Sequence, residues 1–140
     1  MKHIIIALAV FVLAGCATEV VPPSKAISAP SDRVFKYQQV FPDQATLVVV
    51  RDSGYIGGGC YATVFINGDR VAKLDPKEKA SFNLPAGTWT VGATWEGAAL
   101  CSAAVERQER DVSLVAGKSK TLRIFTDSNG TMDVKPTTIE

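Results

Sequence analysis

A chain of 140 residues with 46% hydrophobic side chains is long enough for one domain with a real core and too short for two comfortable ones. Its 15 basic and 14 acidic residues leave a formal net charge of +1, without the electrostatic footprint of a nucleic-acid binder. The single histidine is His3, so the rest of the chain lacks an imidazole for a Ser-His or Cys-His nucleophile, for general-base work near neutral pH or for a typical zinc site.

Lys2 and His3 precede an apolar run from Ile4 to Ala14, the charged and hydrophobic regions of an export signal. The run is too short to cross a bilayer, which takes roughly 20 residues. Its end, Leu13-Ala14-Gly15-Cys16, resembles the lipobox of bacterial lipoproteins. That resemblance implies a diacylglyceryl group on the Cys16 thiol, cleavage after Gly15 and acylation of the new amino terminus. Residues 1–15 would then be a signal peptide. An ordinary signal peptide, or a hydrophobic helix that happens to end in Gly-Cys, is the alternative. Each buried methylene contributes about 0.8 kcal/mol, so two or three acyl chains make an effectively permanent anchor. Ala17 is not the Asp that resembles an inner-membrane retention signal in enteric bacteria, so the expected location is the outer membrane, facing the periplasm. Cleavage would remove Lys2 and His3 and leave a formally neutral chain of about 125 residues.

Residues 16–33 read as the lipidated cysteine followed by a flexible tether rich in Pro, Ser and Ala, able to hold a domain up to about 45 to 50 Å from the lipid. The domain is expected over residues 34–140. Val34 to Phe41 carries Phe35, Tyr37, Val40 and Phe41 at spacings that fit neither a helix nor a strand, and reads as an aromatic lead-in packed on the domain edge.

The pattern then becomes extended. Thr46 to Arg51 is a β-branched run of the kind buried on both faces. Asp52 to Gly59 is a glycine-rich loop, and Cys60 to Asn67 a second strand. Asn67-Gly68 is a strong hairpin signal, because both central residues of a type I′ turn need positive φ, and Arg70 to Leu74 returns from it. Pro76 to Lys79 is a charged turn, Ala80 to Leu84 a strand and Pro85-Ala86-Gly87 a compact turn. In the next strand Trp89, Val91, Ala93 and Trp95 face one way and Thr88, Thr90, Gly92 and Thr94 the other. Val112 to Val115, Thr121 to Thr126 and Thr131 to Lys135 follow, separated by turns at Ala116-Gly117-Lys118 and Asp127 to Gly130, and complete a meander. Seven or eight short strands predict an all-β fold, an antiparallel β-sandwich with a small β-barrel as the alternative.

With Cys16 assigned to lipid, Cys60 and Cys101 remain in a compartment that oxidises thiols, and one disulfide is expected. It would close a loop of about 40 residues, worth on the order of 4 kcal/mol by the chain-entropy argument. A metal pair or a redox couple would want CxxC spacing or a histidine, and the chain offers neither after His3.

Leu47-Val48-Val49-Val50-Arg51, the Gly-rich loop, the Val64-Phe65-Ile66-Asn67-Gly68 hairpin, the Leu84-Pro85-Ala86-Gly87-Thr88-Trp89 turn and the Ala116-Gly117-Lys118 turn resemble a bacterial lipoprotein family. It is catalogued as domain of unknown function 2846 and is similar in style to PEGA-type surface modules. The resemblance covers roughly Ala45 to Phe125. It implies a prealbumin-like sandwich on a lipid anchor, carries no catalytic residues across and does not supply the cysteine pair.

Four motifs invite sharper readings. Gly57-Gly58-Gly59 suggests a phosphate loop, but Cys60-Tyr61 opens a strand where a helix N-terminus is needed. Asp127, Asn129 and Asp133 suggest calcium, but no bidentate Glu follows, and Asx residues suit a hairpin turn. Trp89 and Trp95 could stack on sugars or form core, and core is the commoner use. Glu106, Arg107, Glu109, Arg110 and Asp111 could dock a partner, but mixed-sign runs usually make a solvated face.

The sequence thus predicts a non-catalytic envelope lipoprotein with no cofactor, no metal and no nucleic-acid partner. Its expected contacts are the membrane, through Cys16, and another envelope protein or peptidoglycan, through Tyr55, Ile56, Gly57 and Gly58 in the glycine-rich loop. The alternatives are an inhibitor or exclusion factor acting on a lytic enzyme, phage or plasmid entry, and a hydrolase using paired carboxylates.

Overall fold

A computed structural model of the chain describes residues 18–54, 59–98, 101 and 106–140. Leu13 to Cys16 and the loop residues Tyr55, Ile56, Gly57 and Gly58 lie outside the described residues. The described chain is all-β, with strands β1 (Ile27–Ser28), β2 (Ala45–Arg51), β3 (Tyr61–Ile66), β4 (Asp69–Leu74), β5 (Glu78–Leu84), β6 (Gly87–Glu96), β7 (Gln108–Leu114), β8 (Ser119–Thr126) and β9 (Met132–Thr137). They form a five-stranded sheet in the order β1-β5-β2-β8-β9 and a four-stranded sheet in the order β4-β3-β6-β7. Neither sheet closes on itself, so the fold is a sandwich and not a barrel.

Period-two alternation decides what enters the interior. Leu47 and Val49 of β2, Phe82 and Leu84 of β5, and Leu122 and Ile124 of β8 meet Val64 and Ile66 of β3, Leu74 of β4, and Val91 and Ala93 of β6 in one buried cluster. Trp89 and Trp95, on the same face of β6 as Val91 and Ala93, are partly buried against that cluster. Val50 points to the other face of its sheet and is only 1% exposed, but Thr46 and Val48 on that face are half-buried, so the two-sided burial expected of this run holds only toward its end.

The hairpin at Asn67-Gly68 forms as its chemistry demands, with φ of 47° and 83°. The expectation of a purely antiparallel meander fails at β2 and β8, which pair in parallel from Thr46 opposite Ser119 to Arg51 opposite Ile124. The reason is that the Pro85-Ala86 and Ala116-Gly117-Lys118 turns cross between the sheets and do not fold a strand back on its predecessor. A turn signal fixes a reversal of direction but not the sheet in which the next strand finds its partner.

The structure also differs from a free tether over Thr18 to Arg33. Glu19 pairs with Ser53, and β1 adds in parallel to the outer edge of β5. Farther on, Val34 bridges to Ala72 and the Phe35 amide donates to the Val71 carbonyl. Residues 27–38 therefore strap the side of the sandwich between the edges of β5 and β4, and Ala29, Val34 and Tyr37 pack against the core. On the other side Arg110 of β7 closes onto Asp133 and the Val134 carbonyl of β9. Two exposed sheet edges offered unpaired backbone groups, and a segment without a hydrophobic period of its own satisfies them.

Candidate functional site

All strands run between two ends. One end carries Arg51, Cys60, Leu74, Glu78, Glu96 and Thr126; the other carries Asn67-Gly68, Pro85-Ala86, Ala116 to Lys118 and the carboxyl-terminal residues.

The first end is held by buried charge. Arg51 continues the inward face of β2 and is 2% exposed. Its Nη1 donates to the carbonyls of Cys60 and Leu74, each at 2.7 Å, and its guanidinium lies 4.7 Å from the centroid of the Trp95 ring. Burial pushes its pKa down to about 10 against the opposing pull of Asp75 and Glu78. Beside it Glu78 accepts both arms of Arg33, at 2.7 Å each, and the amide of Asp75. Burial alone would raise the Glu78 pKa, but the hydrogen bonds from Arg33 and the Asp75 amide, with the charges of Arg33 and Arg51, hold it below the usual carboxylate value. The Cys60–Cys101 disulfide, with Cα atoms 5.3 Å apart, ties the start of β3 to the segment after β6 at this same end.

On the outer face of the five-stranded sheet Asp52, 2% exposed, receives the hydroxyl of Thr18 and both Nε and Nη2 of Arg123. Arg123 and Lys135 lie over the Phe125 ring at 5.0 and 4.4 Å. On the outer face of the four-stranded sheet Phe65 sits opposite Gly92, with Arg107 and Arg70 over its ring at 4.4 and 5.3 Å. Glu96 accepts from Arg70 and from Thr63, and these bonds keep its carboxyl ionised to lower pH than usual.

The second end opens into a groove of about 500 Å³ between the end of β7, the start of β8 and the carboxyl-terminal residues. Lys118, Lys120, Glu140 and the hydroxyls of Ser113, Ser119, Thr121, Thr137 and Thr138 supply its polar wall, and Leu114, Val115 and Pro136 its apolar one. It can present ammonium and hydroxyl donors to a ligand that also offers a small apolar surface. No local motif announces it, because its walls come from three separated segments.

The residues singled out in the sequence fall as follows. Cys60 and Cys101 are bonded to each other. Trp89 and Trp95 stand at opposite ends of β6 and do not make one platform; the Trp89 indole donates to the Pro85 carbonyl, and Trp95 backs Arg51. Asp127 accepts the amides of Asn129 and Thr131 as a turn residue, while Asp133 pairs with Arg110, so these carboxylates serve different partners. The charged stretch read as a solvated face runs into β7 itself: Arg107 pairs with Glu109, Arg110 with Asp133, and Asp111 accepts the Thr90 hydroxyl. Residues that sequence reasoning passed over include Arg51, Asp52 and Glu78, read as a strand end, a loop start and a turn. A charge closing an uninterrupted β-branched run was the available signal for Arg51.

No protein-family model matches this sequence, and no curated protein matches it.

Proposed function

We propose that this chain is a lipid-anchored module of the bacterial cell envelope that works by binding and not by catalysis, attached through Cys16 to the outer membrane on its periplasmic side. The observation that carries the reading is the Cys60–Cys101 disulfide in a chain whose remaining cysteine, Cys16, ends a stretch that resembles a lipobox. A disulfide of this kind is at home in an oxidising compartment, and export through the signal over residues 1–15 leads there. Support for binding over catalysis comes from the tasks of the buried ionisable groups. Arg51 holds two carbonyls of the facing sheet, Asp52 holds Thr18 and Arg123, and Glu78 holds the strap. Each is engaged in keeping segments together.

The groove is the recognition surface in this reading. Two ammonium groups, one carboxylate at Glu140 and several hydroxyls suit a ligand bearing carboxylates together with amino or hydroxyl groups, and peptidoglycan is the envelope polymer with that chemistry. Two measurements test the reading. Mass spectrometry of the protein purified from membranes should find acyl chains on Cys16, and Cys16→Ser should leave the protein unlipidated in the soluble or precursor fraction. The folded domain should co-sediment with purified sacculi, and the double variant Lys118→Ala, Lys120→Ala should lose most of that binding. Membrane retention of the Cys16→Ser protein would refute the anchor, and unchanged sedimentation of the lysine variant would refute the groove.

A further inference from the structure

The contacts of Thr18 and Glu19 fix the point at which any anchor leaves the domain. Thr18 is held by a closed set of bonds at the disulfide end. Its amide donates to the Thr126 carbonyl at 3.0 Å, its hydroxyl donates to Asp52 at 3.0 Å, and the same hydroxyl accepts the Thr126 amide at 2.9 Å. One residue on, Glu19 and Ser53 exchange both backbone bonds, at 2.8 and 3.0 Å. Gly54, with φ of 145°, lies so close over Thr18 that a Cβ there would stand 3.2 Å from the threonine methyl. Asp52 is itself held by Arg123. Nothing in this set needs the rest of residues 20–33, so Thr18 is held to the domain independently of them.

Cys16 is two residues before Thr18, and two residues of chain reach at most about 7 Å. We infer that the disulfide end of the sandwich is held against the bilayer surface and that the groove end points away from it. This rests on lipidation of Cys16. The partner of the proximal end is the lipid headgroup layer. The exposed charges there are of both signs, Glu19, Lys77, Glu106 and Arg107, so the covalent anchor and not electrostatic attraction sets the approach. The ten residues of β6 span about 33 Å between the ends, which sets the order of the groove's height above the headgroups. A tether reaching 45 to 50 Å would instead leave the domain free to tumble.

The test uses the full lipidated protein in phosphatidylethanolamine and phosphatidylglycerol vesicles containing a headgroup-labelled acceptor lipid. A donor fluorophore is placed at Ser128→Cys, in the exposed turn after β8, or at Ala86→Cys, in the exposed turn before β6. Energy transfer should be several-fold greater from position 128 than from position 86. Inserting ten Gly and Ser residues between Ala17 and Thr18 should bring the two values together. Mass spectrometry of each sample reports lipidation independently. Equal transfer from both positions in a protein shown to carry lipid on Cys16 would overturn the orientation, whereas absence of lipid from Cys16 would overturn the anchor reading beneath it.

Discussion

The guanidinium of Arg51 rests 4.7 Å from the centre of the Trp95 ring, and its Nη1 bonds the carbonyls of Cys60 and Leu74. One side chain from the five-stranded sheet thereby satisfies backbone groups of the four-stranded sheet at the end where the hydrophobic cluster runs out. Arg51→Ala would leave two carbonyls without this donor and remove a cation from an aromatic face, and should lower the unfolding free energy by about 3 kcal/mol. Urea unfolding followed by tryptophan fluorescence would show it, and Arg51→Lys should recover only part of the loss because an ammonium lacks the planar fork.

The bidentate pair between Arg33 and Glu78 holds the strap at the sandwich's side. Arg33→Ala should cost about 2–4 kcal/mol by stranding a mostly buried carboxylate. It should also speed hydrogen exchange at the amides of Ile27, Ala29 and Phe35, which bond to Lys77, Lys79 and Val71. Were the segment a passive linker, removing residues 18–33 would leave stability unchanged; the structure predicts a clear drop in the unfolding midpoint.

Acid should act on the same contacts. The Glu78 and Glu96 carboxyls have depressed pKa values in the folded state. Their contribution is fully present above the unfolded value near 4.5 and is lost as pH falls through the lower folded values. Stability should therefore decline steadily below about pH 4.5, and Glu78→Gln should flatten that decline while lowering the plateau. Denaturant midpoints across the acid range provide the measurement.

The disulfide spans 41 residues of sequence and should contribute up to about 4 kcal/mol by restricting the unfolded chain. Paired unfolding curves with and without reductant should reveal it. Because Cys60 also presents its carbonyl to Arg51, loosening the bridge and removing the arginine should be less than additive.

Gly92 lies between Phe65 and Glu109 on neighbouring strands. A Cβ at this position would meet Glu109 Cγ at 2.9 Å and the Gln108 carbonyl oxygen at 3.1 Å. The side chain could shift but the carbonyl belongs to the paired strand, so Gly92→Ala should destabilise by about 1–3 kcal/mol despite alanine's smaller conformational entropy. Thermal unfolding of the variant would register the change.

The amino-acid order alone determined most of the strands, because alternation along β6 and the β-branched run of β2 encode which faces are buried and Asn67-Gly68 encodes its own turn. It missed β1 and began β7 four residues late, since Gln108 to Asp111 carry no apolar alternation. It also determined the cysteine pairing by number, once Cys16 is set aside. Only the tertiary structure decided that β2 and β8 lie side by side in parallel, since strand pairing depends on which buried faces meet and not on the turns between them. It alone showed that Thr18 to Arg33 belongs to the domain, because that segment is ordered by sheet edges and by Asp52 and Glu78, partners 34 to 45 residues away in sequence. The groove is likewise a product of three segments brought together, and no local pattern announces a surface that exists only after the sheets have closed.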